Sequence, residues 1–498
     1  MKIRKYLLAI VAIAAGLTLS SCDKMLETKN FTDMSPGNFF KSEGDFDAAL
    51  MGLYLPCTTT WGYSDGGTGG WYLALYCANF GSYYTVAECV SDIMRPYSTS
   101  DYTEFNIGPA YGGLNTIYHT ISFVARATDV INRLENSDGA TAQIRERYIA
   151  EAKTLRAFYM YVLYDWFGPV NVKLDPETLM DNTIEPRPSK ETYVAAMLRD
   201  LQDAIGTASF PDKYNGDPTN WGRMSKAIAR ALLMRVNLHE KDWSGAKAVC
   251  QDIMGMGFKI IPSYEDVFNQ TITDEHIWSV PANAASDNYY VAEVLPSDFL
   301  RGYNHQGRSY SRGGFSGWQQ YTMYWDFYDT FDDNDVRKQV ILCEYDTKDG
   351  HKDRNSGMPG AIPLKFTDTE YPDFGCLKAQ PIIRYAEVLL SFAEAENELN
   401  GPTAAAVSAV KQVMDRAGLE IPASATASKE AFRDYLLLER GHELFGEGER
   451  RTDLIRFGKF IESARERGHD AKDHQVLFPI PSSIIIEGDG IIEQNPGY

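Results

Sequence analysis

Apolar residues return at three- and four-residue steps over much of the chain, the period of an α-helix with one buried face. In 144–167 the stripe is Tyr148, Ala152, Leu155, Tyr159, Val162, Leu163 and Trp166, and Gly168-Pro169 ends it. Residues 224–239 repeat the pattern with Ile228, Ala231, Leu232, Arg235 and Leu238. Lys241-Asp242-Trp243 then turns into a partner carrying Ala246, Val249, Cys250, Ile253 and Met254. A further pair starts near Arg384 with Tyr385, Val388, Leu389, Phe392, Ala393, Glu396 and Leu399. It breaks at Asn400-Gly401-Pro402 and resumes through Val407, Val410, Val413 and Met414. Weaker periods over 114–134 (Ile117, Ile121, Val124, Val130, Ile131, Leu134) and around Phe39, Phe40, Phe46, Ala49, Leu50 and Leu53 predict two more helices. Short connections, small Ala residues at the contacts and roughly 34 residues per unit make these hairpins resemble tetratricopeptide units. No strict repeat aligns, so a regular solenoid is not expected, and an ordinary helical bundle fits the periodicity as well.

Between the helical stretches the pattern fails. Residues 260–380 are rich in Gly, Tyr, Asp and Asn, with β-prone fragments such as Ile277-Trp278-Ser279-Val280. The run TTTWGYSDGGTGGWY near residue 60 holds too many glycines for regular structure and displays Trp61, Tyr63, Trp71 and Tyr72. The expected organisation is one body over 36–498, with hairpins at about 114–258 and 384–467 and loop-rich insertions at about 56–112 and 260–380. Long irregular excursions from a rigid helical support are where binding residues sit. The predicted fold class is mainly α: tetratricopeptide-like hairpins supporting a loop-rich ligand-binding region with short β elements.

Composition narrows the chemistry. The 498 residues carry 48 Lys+Arg against 68 Asp+Glu, a net charge of −20, which argues against a nucleic-acid partner and for a neutral or cationic ligand. Hydrophobic residues make up 44%, enough for a sizeable core, and the 30 Tyr and 8 Trp are many. The N-terminus reads as an export signal: basic Lys2, Arg4 and Lys5, a 13-residue apolar run from Leu7 to Leu19, then small residues. That run is shorter than the roughly 20 residues of a spanning helix. The other cysteines, Cys57, Cys77, Cys89, Cys250, Cys343 and Cys376, show no C-x-x-C pair, and the histidines are scattered, so no zinc site is expected. Cys57, Cys77 and Cys89 are near enough in sequence to pair, but six thiols in so long a chain read as small buried hydrophobes. Asp329, Asp332, Asp333, Asn334 and Asp335 lack the glycine and closing Glu of a calcium loop and read as a solvated acidic turn. No cofactor is expected.

Several motifs together carry a family resemblance. Leu19-Ser20-Ser21-Cys22 resembles the lipobox of bacterial lipoproteins, in which cleavage precedes the cysteine (here Cys22) and lipid is added to it; a plain secretory signal ending in Cys is the alternative. The run LLLERGHELFGEGERRTDLIRFGKF over 436–460 resembles the C-terminal signature of the SusD/RagB family of Bacteroidetes outer-membrane nutrient-binding lipoproteins. It keeps Glu439-Arg440, Glu443-Leu444, Glu447-Gly448, Arg450, Asp453-Leu454 and Arg456, while Gly446 and Arg451 replace the usual aromatics. Pro479 to Pro481, Gln494 to Tyr498, the stretch from Glu151 to Val170 and Asp335-Val336-Arg337 match further family elements. The resemblance implies a non-enzymatic surface lipoprotein, held at the outer membrane by lipid on Cys22. Such a protein binds oligosaccharide or polysaccharide and delivers it to a SusC-like TonB-dependent transporter. The Glu and Arg of the signature read as helix-fixing ion pairs among themselves rather than as acid/base machinery.

A neutral glycan offers C–H faces that stack on aromatic rings and hydroxyls that need directed partners. Burying roughly 60 Å² of apolar area per sugar contributes about 1.5 kcal/mol, so two or three platforms give micromolar to millimolar affinity, suited to handing a ligand on. Two clusters have this chemistry. One comprises Trp61, Tyr63, Trp71, Tyr72, Asp92, Arg95 and Tyr97, with Glu88, Ser91 and Tyr102 nearby; the other comprises Asn288, Tyr289, Tyr290, Trp318, Gln319 and Tyr321, with Gln320 and Tyr324. Any single ring among them also suits packing between loop and helix. Two other classes share these features: a lipid-anchored glycoside hydrolase, with its paired carboxylates, and a surface protein that captures peptides or proteins on its helical hairpins.

Overall fold

The computed structural model describes residues 40–59, 73–77, 81–97, 100–283, 287–300, 303–305, 308–310, 317–366 and 375–498. Nine helices of ten residues or more stand among them: α1 (Glu43–Leu53), α2 (Ile121–Glu135), α3 (Ala142–Phe167), α4 (Lys190–Gly206), α5 (Lys226–His239), α6 (Trp243–Met254), α7 (Tyr385–Asn400), α8 (Ala404–Ala417) and α9 (Lys429–Leu444). Each of α3, α4, α5, α6, α8 and α9 opens on a Ser, Thr or Asp whose side chain accepts a backbone N–H of the first turn, so local chemistry sets where they begin. The weak period over 114–134 resolves into two helices, Gly112–Tyr118 and then α2, parted at His119 and Thr120.

Consecutive helices pack as neighbours: α2 on α3, α3 on α4, α4 on α5, α5 on α6. The next layer on α6 is α7, although some 130 residues separate them in the chain, and α8 and α9 then pack on α7. The helical stack is therefore continuous through space and interrupted only in sequence. The insertion leaves at the end of α6 and returns at the start of α7. Its base is closed by an antiparallel pair, His276–Val280 with Gln380–Arg384, so Arg384 is both the last residue of a strand and the cap of α7.

The helical signature of 436–460 is the keystone of this closure. Arg384 is fully buried and holds Glu275 at 2.6 Å, Glu443 at 2.8 Å and Glu447 at 2.7 Å. Arg416 holds the same Glu275 at 2.7 Å and also Glu443. Arg337, equally buried, takes Asp335 at 2.8 Å and Glu439 at 2.6 Å, and Lys365 takes Glu447 at 2.6 Å. Arg440 pairs with Asp453 and Arg450 with Asp92. Apart from Asp453, which takes Arg440 and Arg456, the Glu and Arg side chains of α9 and its following turn thus find their partners outside the signature rather than among themselves as the sequence pattern suggested. They reach α8, the insertion and the N-terminal region, because a buried charge needs whichever opposite charge the fold brings to it. Burial opposes charging of Glu443, yet Arg416, Arg384 and Arg337 together hold its carboxyl down to about 2.

The chain's closing motif is pinned to the end of α3. Asn495 donates to the carbonyls of Phe167 (3.1 Å) and Phe478 (2.7 Å), Gln494 exchanges two hydrogen bonds with Ile480, and Phe478 packs on Trp166 with ring centroids 4.6 Å apart. Among the described residues, Cys57, Cys77, Cys89, Cys250, Cys343 and Cys376 form no disulfide with one another. The acidic turn is used internally: Asp335 holds Arg337, Asp329 pairs with Arg354, and Asp333 with Lys338.

Candidate functional site

The two aromatic clusters meet. Met94–Pro96 pairs antiparallel with Tyr321–Met323, Arg95 opposite Thr322, and the Tyr97 amide donates to the Gln320 carbonyl at 2.7 Å. Residues 317–320 in turn run along the short helix Tyr290–Val294 and its end: Trp318 N–H donates to Ala292 O at 2.8 Å, Gln319 to Leu295 O at 3.2 Å, and Gln320 to Glu293 O at 2.6 Å. This clamp fixes a face carrying Tyr97, 71% exposed, and the half-buried rings of Tyr289 and Trp318, whose centroids lie 6.2 Å apart at 50°. Arg95 is exposed at its edge and donates to Pro359 O at 2.9 Å. Two rings set side by side at a loop surface, bordered by a cation and the Gln320 amide, can stack on the apolar face of a sugar and bond its hydroxyls.

The other predicted residues divide. Trp61, Tyr63, Trp71, Tyr72 and Cys22 lie outside the described residues. Asn288 and Tyr290 are interior, not ligand-facing as the sequence suggested. Asn288 is bound to Lys378 O, Gln380 and the Tyr290 amide, and Tyr290 donates to Pro363 O at 2.6 Å. Tyr321 is buried because its strand is covered on both faces. Asp92 spends both carboxylate oxygens on Arg450, at 2.7 and 2.8 Å, and although burial works against it, this pairing holds the acid below its ordinary range. It is a brace rather than a ligand group. Tyr102 and Glu88 are likewise buried, Glu88 accepting the amides of Gly446 and Gly448.

Gln319 remains at the site in an unusual state: it has φ +43°, left-handed backbone that a residue with a side chain rarely adopts, and its Nε2 is buried without a partner. Glu293, which the sequence pattern did not single out, lies one helical turn beyond Tyr289, its amide donating to Tyr289 O at 3.0 Å. The four-residue step from Tyr289 to Glu293 was the available signal, since it puts both on one helix face.

A cavity of about 600 Å³ lies elsewhere, between α3, α4, the 171–188 connection and residues 484–492, lined by Ile121, Val172, Ile184 and Ile492 among others. None of the predicted binding residues borders it. Among the described residues there is no cluster of His, Cys, Asp and Glu fit to hold a metal ion, and no helix long and apolar enough to cross a membrane.

Residues 274–472 match the sequence model of the SusD family. SusD-like protein P25 of Formosa agariphila is 22% identical, with 98% of this chain and 99% of that protein aligned, and SusD-like protein P2 of the same organism is 24% identical over 99% and 100%. Among solved structures, a laminarin binding SusD-like protein superposes with TM-score 0.71 at 23% identity, covering 92% of this chain and all of that one. Surface glycan-binding protein A from Bacteroides uniformis superposes with TM-score 0.74 at 22% identity, covering 91% and 99%. The corresponding protein from Bacteroides thetaiotaomicron, solved in complex with laminarihexaose, gives 0.71 at 19%, covering 91% and 99%. Residues 274–472 thus match the SusD family, and the chain has the fold of SusD-like structures.

Proposed function

We propose that this protein is a cell-surface glycan-binding protein that recognises an oligosaccharide or polysaccharide on the face formed by Tyr97, Tyr289 and Trp318, without cleaving it. The observation that carries the reading is that face itself: aromatic rings from two distant stretches of the chain, brought to one surface by the Met94–Pro96 and Tyr321–Met323 pairing, with Tyr97 exposed and Tyr289 and Trp318 half-buried. Relatives whose names record glycan or laminarin binding support the same chemistry. Use of nearly all buried carboxylates in ion pairs favours binding over hydrolysis, which needs two acids free to serve a substrate. The lipobox-like Leu19-Ser20-Ser21-Cys22 supports a lipid anchor at the outer membrane, and the family resemblance supports handover to a SusC-like TonB-dependent transporter.

Affinity electrophoresis in gels containing laminarin, starch, xylan, mannan or pectin tests the reading. Retardation by at least one polysaccharide, with a micromolar to millimolar dissociation constant and no release of reducing ends on prolonged incubation, is expected. Migration unchanged by every polysaccharide, or steady release of reducing sugar, contradicts it.

A further inference from the structure

Every buried carboxylate among the described residues has a hydrogen-bond or ion-pair partner except one. Glu151 has Arg223, Asp165 has Arg451, Asp200 has Arg156, Glu387 and Glu449 share Arg235, Glu394 has Arg456 and Glu396 has Lys247. Glu293, 1% exposed, has no ion pair, and its Oε1 is buried with nothing to bond. Two further buried polar atoms near it are in the same condition, Gln319 Nε2 and the Tyr321 hydroxyl. An orphaned polar group in a folded core costs roughly 1–3 kcal/mol, so three together at one place require a reason. A fourth feature coincides with them: the left-handed backbone of Gln319, strain of the kind that folds retain at ligand sites.

All of this lies against the Tyr289–Trp318 pair. Glu293 follows Tyr289 by one turn, its carbonyl accepts the Gln320 amide, and Tyr321 is close enough that ionising Glu293 would push its phenol further up. We infer that Glu293, with Gln319 and Tyr321, is the hydroxyl-reading floor of the glycan site, its missing hydrogen bonds being supplied by the hydroxyls of a sugar stacked on Tyr289 and Trp318. The inference rests on the glycan-binding reading above and deepens it. The chemistry matches on both sides, for a sugar hydroxyl both donates and accepts, while the floor offers an amide donor, a carboxyl and a phenol. Burial, with no cation to offset it, pushes the Glu293 carboxyl up to about 8. Near neutral pH it is therefore an uncharged acid, with an O–H to give as well as an oxygen to accept. The titratable group facing it is Tyr321, which burial keeps as the neutral phenol, while Gln319 and Gln320 carry no charge.

Isothermal titration with laminarihexaose tests this on the wild-type protein, Glu293→Leu, Glu293→Gln and Tyr289→Ala/Trp318→Ala. If the gels retain the protein on another polysaccharide, its hexasaccharide is the probe. Glu293→Leu, matching the shape of the side chain without its hydrogen bonds, is expected to weaken binding at least tenfold, with a thermal midpoint equal to or above wild type. Glu293→Gln, which keeps an acceptor and a donor, is expected within threefold of wild type. Wild-type affinity in Glu293→Leu overturns the inference while leaving the glycan reading intact, provided the double-alanine variant has lost binding. Glu293→Gln as weak as Glu293→Leu assigns the effect to packing and also overturns it. A wild-type protein that binds no glycan of the panel removes the reading and the inference with it.

Discussion

Replacing Tyr289 and Trp318 together with alanine is expected to weaken glycan binding about a hundredfold while the protein keeps its fold. The magnitude follows from contact area. Each ring that covers one face of a sugar removes apolar surface worth about 1.5 kcal/mol from water, so losing two costs about 3 kcal/mol, a factor of about a hundred in dissociation constant. Stability should change little, because both rings are half-buried at a loop surface and the backbone bonds that fix residues 317–320 to the short helix do not pass through them. Comparing dissociation constants by titration, with thermal midpoints measured alongside, separates the two effects. Unchanged affinity would move the binding face elsewhere.

The second large effect is expected from Arg384→Met. The guanidinium lies at the junction of the insertion with the helical stack and neutralises Glu275, Glu443 and Glu447 with no exposure to water. Methionine fills much of the volume but leaves three carboxylates short of a partner in the interior, and breaking a buried pair in this way costs about 3–5 kcal/mol. A loss of that size, read from the urea midpoint, or failure to accumulate as folded protein, is the expected outcome. The same network sets the wild-type response to acid. Glu443 titrates near 2 in the folded protein against 4.5 as an ordinary glutamate, so its contribution is fully present above about pH 4.5 and is lost as pH falls towards 2. A near-neutral Arg384→Met would mean that other cations carry the network.

How much of this was legible depends on how far each feature reaches along the chain. Helix α3 was readable from its period and its Gly168-Pro169 stop because both are local. What the period missed is that from Ala150 to Phe167 it is buried on nearly every side, with Glu151, Arg156 and Asp165 each paired to a distant residue. The signature over 436–460 marked the buried charges but not their partners, since Arg337, Arg384 and Asp92 approach only after the insertion closes. The candidate face shows the same limit at the scale of one residue. Tyr289 and Tyr290 are equivalent in composition, yet successive positions on a helix point about 100° apart, and the surrounding fold buries one ring and leaves the other half-open. Alternation along Tyr321–Met323 gave no guide, because that strand is covered on both sides. Glu293 escaped notice for a related reason. An isolated Glu in sequence reads as surface, and its four-residue step from Tyr289 becomes telling once burial leaves it without a partner.

The most direct test is a crystal structure of the protein with the oligosaccharide its panel identifies. Sugar rings lying on Tyr289 and Trp318, with Tyr97 at the margin and a hydroxyl directed towards Glu293, are the expected result. A glycan seated in the cavity beneath α4, or anywhere that leaves those rings bare, contradicts it.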